Sequence, residues 1–290
     1  MKHFSIYLKI SIIFLLIYSC SKQNDWKTYD ETSNFFIESI LGVTFDQDIE
    51  ELVDDAFYSK SNTSKTPKKR FKDDKYGTCA TISVDEENNI KTITFDGECV
   101  GKRGQIRSGI IIVTYSDTKG EIGSFRQINF DDFYLNDIKI EGVRRNEVVD
   151  IDQTLNKTVQ MTLENGKMIY PDESFSIKSK VITKFIVFED EKHFSTTITG
   201  NVNSIDSNGE LYYMEITVPI LFTRECSEEL NNRKGRIPVA GEKIIIKGED
   251  EIIVNFGDGE CDFMAEVTKN GQTEIIDLRK IRRKKKFPKN

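Results

Sequence analysis

Residues 80–95 read Ala-Thr-Ile-Ser-Val-Asp-Glu-Glu-Asn-Asn-Ile-Lys-Thr-Ile-Thr-Phe. Apolar and polar side chains alternate on either side of a polar break at Asp85–Asn89. A period of two places successive side chains on opposite faces of a strand, and the break has the composition of a turn. The stretch therefore predicts two antiparallel strands joined by a short connection. The same texture runs on to residue 278, through Gly109–Tyr115, Ile128–Phe130, Thr158–Leu163, Ser195–Thr199, Met214–Val218, Lys243–Ile246 and Ile252–Val254. Three Asn-Gly pairs, at Asn165-Gly166, Asn208-Gly209 and Asn270-Gly271, predict tight hairpins, because both residues tolerate the left-handed backbone. Parallel crossovers need intervening helices, and none lies between these runs. The predicted class is mainly β: antiparallel, hairpin-rich sheets forming a sandwich or a meander.

An internal echo raises the prospect of two related β-units. Phe95-Asp-Gly-Glu-Cys99 resembles Phe256-Gly-Asp-Gly-Glu-Cys261, and each has another cysteine upstream. Before the β-rich part, Asp46–Tyr58 has helical spacing: Ile49, Leu52, Val53 and Phe57 share one face, and the opposite face is acidic. An earlier helix is expected over Asp30–Leu41, stopped by Gly42. Ser59–Arg70 holds no apolar residue and reads as a mobile linker.

At the N-terminus, Lys2 and Lys9 flank the start of an apolar run that ends at Cys20. The run has the length of a secretory signal and is short for a membrane span. Ile17-Tyr18-Ser19-Cys20 resembles the lipobox of bacterial lipoproteins. The resemblance implies a signal removed before Cys20 and diacylglycerol attached to its sulfur. At roughly 0.8 kcal/mol per buried methylene, two or three acyl chains would hold such a protein on a membrane. The tether starting at Ser21 resembles that of lipoproteins sent to the outer membrane, facing the periplasm or the cell surface. Residues 76–278 resemble the β-rich lipoproteins abundant in Bacteroidota. There a Cys-Ala-Thr-Ile strand leads to a second cysteine, and a Gly-Asp-Gly-x-Cys-Asp turn lies near the end. This resemblance implies no known activity.

The expected organisation is a signal at 1–19 and a tether with two short helices and a polar linker at 20–75. Two β-units at 76–170 and 171–278 follow, then a basic tail at 279–290. That tail holds eight basic side chains and no acid; setting it and the two signal lysines aside leaves 31 of 41 basic residues against 48 acidic ones. A basic run suits nucleic acid or anionic lipid headgroups. For an exported protein, a solvated tail is the favoured reading, and no nucleic-acid partner is expected.

After Cys20, the cysteines are Cys79, Cys99, Cys226 and Cys261. An even count in an exported chain points to two disulfides. Three connectivities exist, and the local pairs Cys79–Cys99 and Cys226–Cys261 are preferred. The alternative is a zinc site, disfavoured because no two cysteines have knuckle spacing; no metal or cofactor is expected.

Catalytic signatures are sparse. His193 is the sole histidine after the signal and sits in a charged turn, poor material for a nucleophilic triad. No Gly-x-Ser-x-Gly elbow or phosphate loop occurs. Asp206–Glu210 and Asp258–Asp262 space oxygen ligands loosely like a calcium loop, but fit hairpin turns better. Phe133-Tyr134 and Tyr212-Tyr213 fall in strand-like runs, so one ring of each pair faces outward. Tyr134, Tyr212 and Tyr213 are therefore candidates for stacking on sugar rings. The expected function is non-enzymatic binding or scaffolding at the outer membrane, with a glycan or envelope protein as partner. The alternative is a carboxylate-dependent polysaccharide hydrolase.

Overall fold

The computed structural model describes residues 46, 49–50, 52–54, 69–70, 79–101, 104–118, 120–190, 192–229 and 238–278. Cys20 with the expected signal and tether, the helix expected at 30–41 and the tail at 279–290 lie outside them.

Among the described residues, fourteen strands form one sheet in which spatial order equals sequence order. They are β1 (Lys69–Arg70), β2 (Ala80–Asp85), β3 (Ile90–Val100), β4 (Ile106–Tyr115), β5 (Phe125–Leu135), β6 (Ile138–Ile151) and β7 (Lys157–Ile169). Then come β8 (Phe175–Glu189), β9 (Lys192–Ile205), β10 (Leu211–Thr223), β11 (Ala240–Lys247), β12 (Asp250–Asp258), β13 (Met264–Lys269) and β14 (Gln272–Asp277). Every neighbouring pair is antiparallel. The fold is therefore the meander version of the expected architecture. Helix α1 contributes the helical residues 46, 49, 50 and 52–54, and α2 spans Arg224–Glu229.

One rung of directly opposed residues crosses almost the whole sheet. It runs Val84, Lys91, Val113, Ile128, Arg144, Leu163, Lys180, Val202, Met214, Ile245, Ile252, Lys269 and Gln272. Paired residues point to the same side, so the rung defines an inner face. Alternate residues of each strand share it, and both large apolar clusters lie on it. The first joins Ile93, Phe95, Ile111, Val113, Ile128 and Phe133 to Ile49, Leu52 and Val53 of α1. The second joins Ile182, Tyr212, Ile216, Ile245, Ile252 and Val267. A small third cluster packs Cys226 of α2 against Val239 and Phe263.

Mid-strand irregularities bend the sheet. Gly142 in β6 has φ 120°, and a Cβ there would lie 2.7 Å from the Cα of Gly166 in β7. Glycine at 142 allows the two strands this approach, and such bulges increase local twist. Asn165-Gly166, expected to turn a hairpin, is instead the bulge within β7, with the register shifting between Leu163 and Gly166. The other two pairs do turn: Asn208-Gly209 joins β9 to β10, and Asn270-Gly271, with φ 49° and 81°, joins β13 to β14. Lys69 and Arg70, read as part of a linker, pair with Ile82 and Thr81. Cys79–Cys99 and Cys226–Cys261 are disulfide-bonded, with Cα–Cα distances of 5.6 and 5.5 Å.

Candidate functional site

Strand β8 reverses the usual amphipathic rule. Its inner positions are Ser176, Lys178, Lys180, Ile182 and Lys184, while Val181 and Phe185 point outward and are exposed. The register imposes this: Lys180 opposes Leu163 on one side and Val202 on the other, and both belong to the inner rung. Arg144 of β6 and Lys243 of β11 join the same face. The result is a basic strip between the two apolar clusters.

Its counter-ions come from α1. Asp46, Glu50 and Asp54 are spaced four residues apart and form a stripe beside Ile49 and Val53. Asp46 pairs with Lys180 and lies 3.6 Å from Arg144. Glu50 lies 2.5 Å from both Arg144 and Lys184, and Asp54 lies 2.5 Å from Arg126 of β5. Arg144 is 2% exposed and also donates through Nη1 to the Asp46 carbonyl. The helix thus seats its apolar side on the first cluster and its acidic side on the strip.

The electrostatics favour the carboxylates more than the amines. Burial alone would raise the Asp46 carboxyl, but Lys180, Arg144 and Lys178 reverse this and hold it below the ordinary value. Burial likewise opposes ionised Glu50, and Arg144 and Lys184 overcome it by a wide margin. Lys180 behaves differently. Its burial, reinforced by Arg144 and Lys178, outweighs the attraction of Asp46 and lowers it to about 8. Lys243 is also lowered to about 8, by burial and then by the charge of Lys178. Among the described residues, cations outnumber anions here: Arg144, Lys178, Lys180, Lys184 and Lys243 share the face with Asp46 and Glu50.

A cavity of about 40 Å³ lies beside α1, lined by Asp46, Ile49, Arg144, Met168, Ser176 and Lys178 among others. That volume suits one or two waters, far below the size of an organic ligand pocket.

The residues singled out from sequence lie elsewhere. Tyr212 is buried in the second cluster, whereas Tyr134 and Tyr213 are half-buried on the outer face. They sit on β5 and β10, five strands apart and roughly 24 Å at ordinary strand spacing, so they form no common platform. His193 Nε2 is 2.7 Å from Thr196 Oγ1 in β9. Asp206 locks its hairpin by accepting from the backbone N–H groups of Asn208 and Glu210 and pairing with Lys247 at 2.5 Å. Among the described residues, no group of three or more His, Cys, Asp or Glu side chains is placed to hold a metal ion. Also among them, no helix is long and apolar enough to cross a membrane.

The basic strip escaped the sequence reading because lysines alternating with apolar residues ordinarily point to solvent. One usable signal was the acidic stripe at 46, 50 and 54 beside the apolar face of α1, which demands cations wherever that face docks. Fold and site together define an open antiparallel meander whose inner face carries a charged strip under an acidic helix. No family model, curated protein or solved structure matches this chain.

Proposed function

We propose that this protein is an outer-membrane lipoprotein that binds or scaffolds a component of the cell envelope without catalysis. The address rests on Ile17-Tyr18-Ser19-Cys20, with the acyl chains on Cys20 supplying the membrane attachment. The body faces the periplasm or the cell exterior, and its partner is a glycan or an envelope protein.

One observation carries the binding reading: among the described residues, a charged cluster in which cations outnumber carboxylates is held on the inner face of the sheet. A glycosidase needs a carboxyl group kept protonated opposite an ionised one. The two carboxylates gathered here, Asp46 and Glu50, are both driven toward the ionised form by Arg144 and the lysines. Such a cluster attracts and holds anionic groups, and neither of its carboxyl groups is kept protonated to serve as a glycosidase's acid.

Two experiments test the reading. Cys20→Ala should move the protein from the membrane to the soluble fraction, and continued membrane association would refute the anchor. The soluble form beginning at Ser21 should retain a specific partner from detergent-solubilised envelopes or a glycan panel. Failure to retain any would refute the binding role.

A further inference from the structure

The small cavity beside α1 is walled on one side by Arg144, which is 2% exposed. The outer nitrogens of this guanidinium are engaged. Nη1 donates to the Asp46 carbonyl, and Nη2 lies 2.5 Å from Glu50 Oε1. Its Nε, the nitrogen nearest the sheet, is buried and has no hydrogen-bond partner among the described residues. A buried donor on a charged group is costly to leave so, and an acceptor in the cavity removes that cost.

Size and charge say which acceptor fits. A volume of about 40 Å³ holds one or two bodies the size of a water molecule. That admits a monatomic ion and is tight for the five heavy atoms of a sulfate or phosphate. The lining carries three cations, Arg144, Lys167 and Lys178, against two carboxylates, Asp46 and Glu141. Each carboxylate also has a lysine outside the lining: Asp46 pairs with Lys180, and Glu141 lies 3.6 Å from Lys139. Glu50, the other partner of Arg144, is shared with Lys184. The wall thus keeps a positive excess. A water molecule satisfies Nε alone, whereas an anion also answers the charge. Ser176, 3% exposed, supplies a second donor. Its Oγ is 3.2 Å from Tyr170 Oη, and either oxygen can donate. When it accepts from Tyr170, its own hydrogen is left for the cavity.

We propose that the cavity beside α1 is a chloride site, in which Arg144 Nε and the Ser176 hydroxyl donate to a single halide ion. The ion lies where the helix meets the sheet, so it ties the seating of α1 to the halide content of the surroundings. This site is separate from the envelope-binding role proposed above and stands or falls without it.

Bromide occupies chloride sites and scatters anomalously. Crystals of residues 20–290 carrying Cys20→Ala, grown in sodium bromide, should show an anomalous peak in the cavity next to Arg144 Nε. Density there without anomalous signal would mean water only and would overturn the site. In solution, thermal unfolding of the same protein is followed at pH 7 while chloride replaces gluconate at constant ionic strength, which holds screening fixed. The midpoint should climb with chloride concentration, as mass action requires of a ligand bound only by the folded state. A midpoint that does not move would overturn the site.

Arg144→Lys keeps a positive charge toward Asp46 and Glu50 but puts a methylene where Nε stands. It should lose both the bromide peak and the chloride response, and a full response in this variant would refute the role of Nε. Ser176→Ala should weaken apparent chloride affinity roughly fivefold, the loss of one hydrogen bond. If Arg144→Lys does not fold, Ser176→Ala decides: unchanged affinity there counts against the site.

Discussion

Strands β4 and β8 present the same face of the same sheet to opposite surroundings. Inner residues Ile111 and Val113 of β4 are fully buried in the first apolar cluster beneath α1. Inner residues Lys178, Lys180 and Lys184 of β8 are cations, while Val181 and Phe185 are turned to solvent. For β4 the register and the hydrophobic effect agree. For β8 they conflict, and pairing with β7 and β9 over nearly the full strand decides the outcome. Burying lysines is costly unless carboxylates accompany them, and α1 brings them. The helix is thus a core element toward β4 and a counter-ion toward β8.

The comparison breaks most readily at the helix. Asp46→Asn/Glu50→Gln keeps the shape of α1 but strips the counter-ions from Arg144, which is 2% exposed. We expect a loss of about 3–5 kcal/mol in urea unfolding. A loss below about 1 kcal/mol would mean that the ion pairs are incidental to the seating of the helix. On the β4 side, Ile111→Ala should cost about 2–4 kcal/mol through its cavity, with little dependence on salt. Removing the Cys79–Cys99 bridge, which closes a separation of 20 residues, should cost about 3 kcal/mol in the chain-entropy model; mass spectrometry of unreduced peptides checks the linkage itself.

Smaller effects sharpen the contrast. Gly142→Ala adds a methyl group 2.7 Å from Gly166 Cα at φ 120° and should cost about 1–3 kcal/mol. Hydrogen exchange should locate the damage between β6 and β7.

Stability should also follow pH in two windows. Asp46 and Glu50 have folded-state pKa values below their unfolded ones. Their contribution is present above the unfolded carboxylate range and is lost as pH falls below it. Lys180 and Lys243 titrate near 8 when folded instead of 10.5. Between those values the unfolded chain binds more protons, so their contribution rises with pH. Urea midpoints for Lys180→Met/Lys243→Met should lose the upward slope above pH 8; retention of the wild-type slope would assign it to other groups.

Much of the architecture was legible in short segments. The alternation of Ala80–Val84 and Lys91–Phe95 marks a real hairpin, and Asn208-Gly209 and Asn270-Gly271 mark real turns. These signals are local, set by side-chain period and backbone freedom. Asn165-Gly166 misled because the same freedom serves a bulge as well as a turn, and only contact with Gly142 distinguishes the two. The site was hidden for a related reason. Lys178, Lys180 and Lys184 have the spacing of a solvated face, and what reverses them is strand register together with a helix about 130 residues earlier. The tyrosines were chosen by type, but their placement depends on which face each strand turns inward, and that choice separates Tyr212 from Tyr134 and Tyr213.

Pairing between sequence neighbours alone has a kinetic consequence. Most strands close onto their predecessor through a short loop, the connection from β10 to β11 through α2 being the longest, so the sheet can grow hairpin by hairpin with modest loop-closure entropy at each step. Contacts of low sequence separation form fast, and the energetics approach those of a linear array with nearest-neighbour coupling. A chain synthesised N-terminus first could add strands in order as they appear. The long-range step is the seating of α1 across β5 to β8, which must wait until β8 has been added.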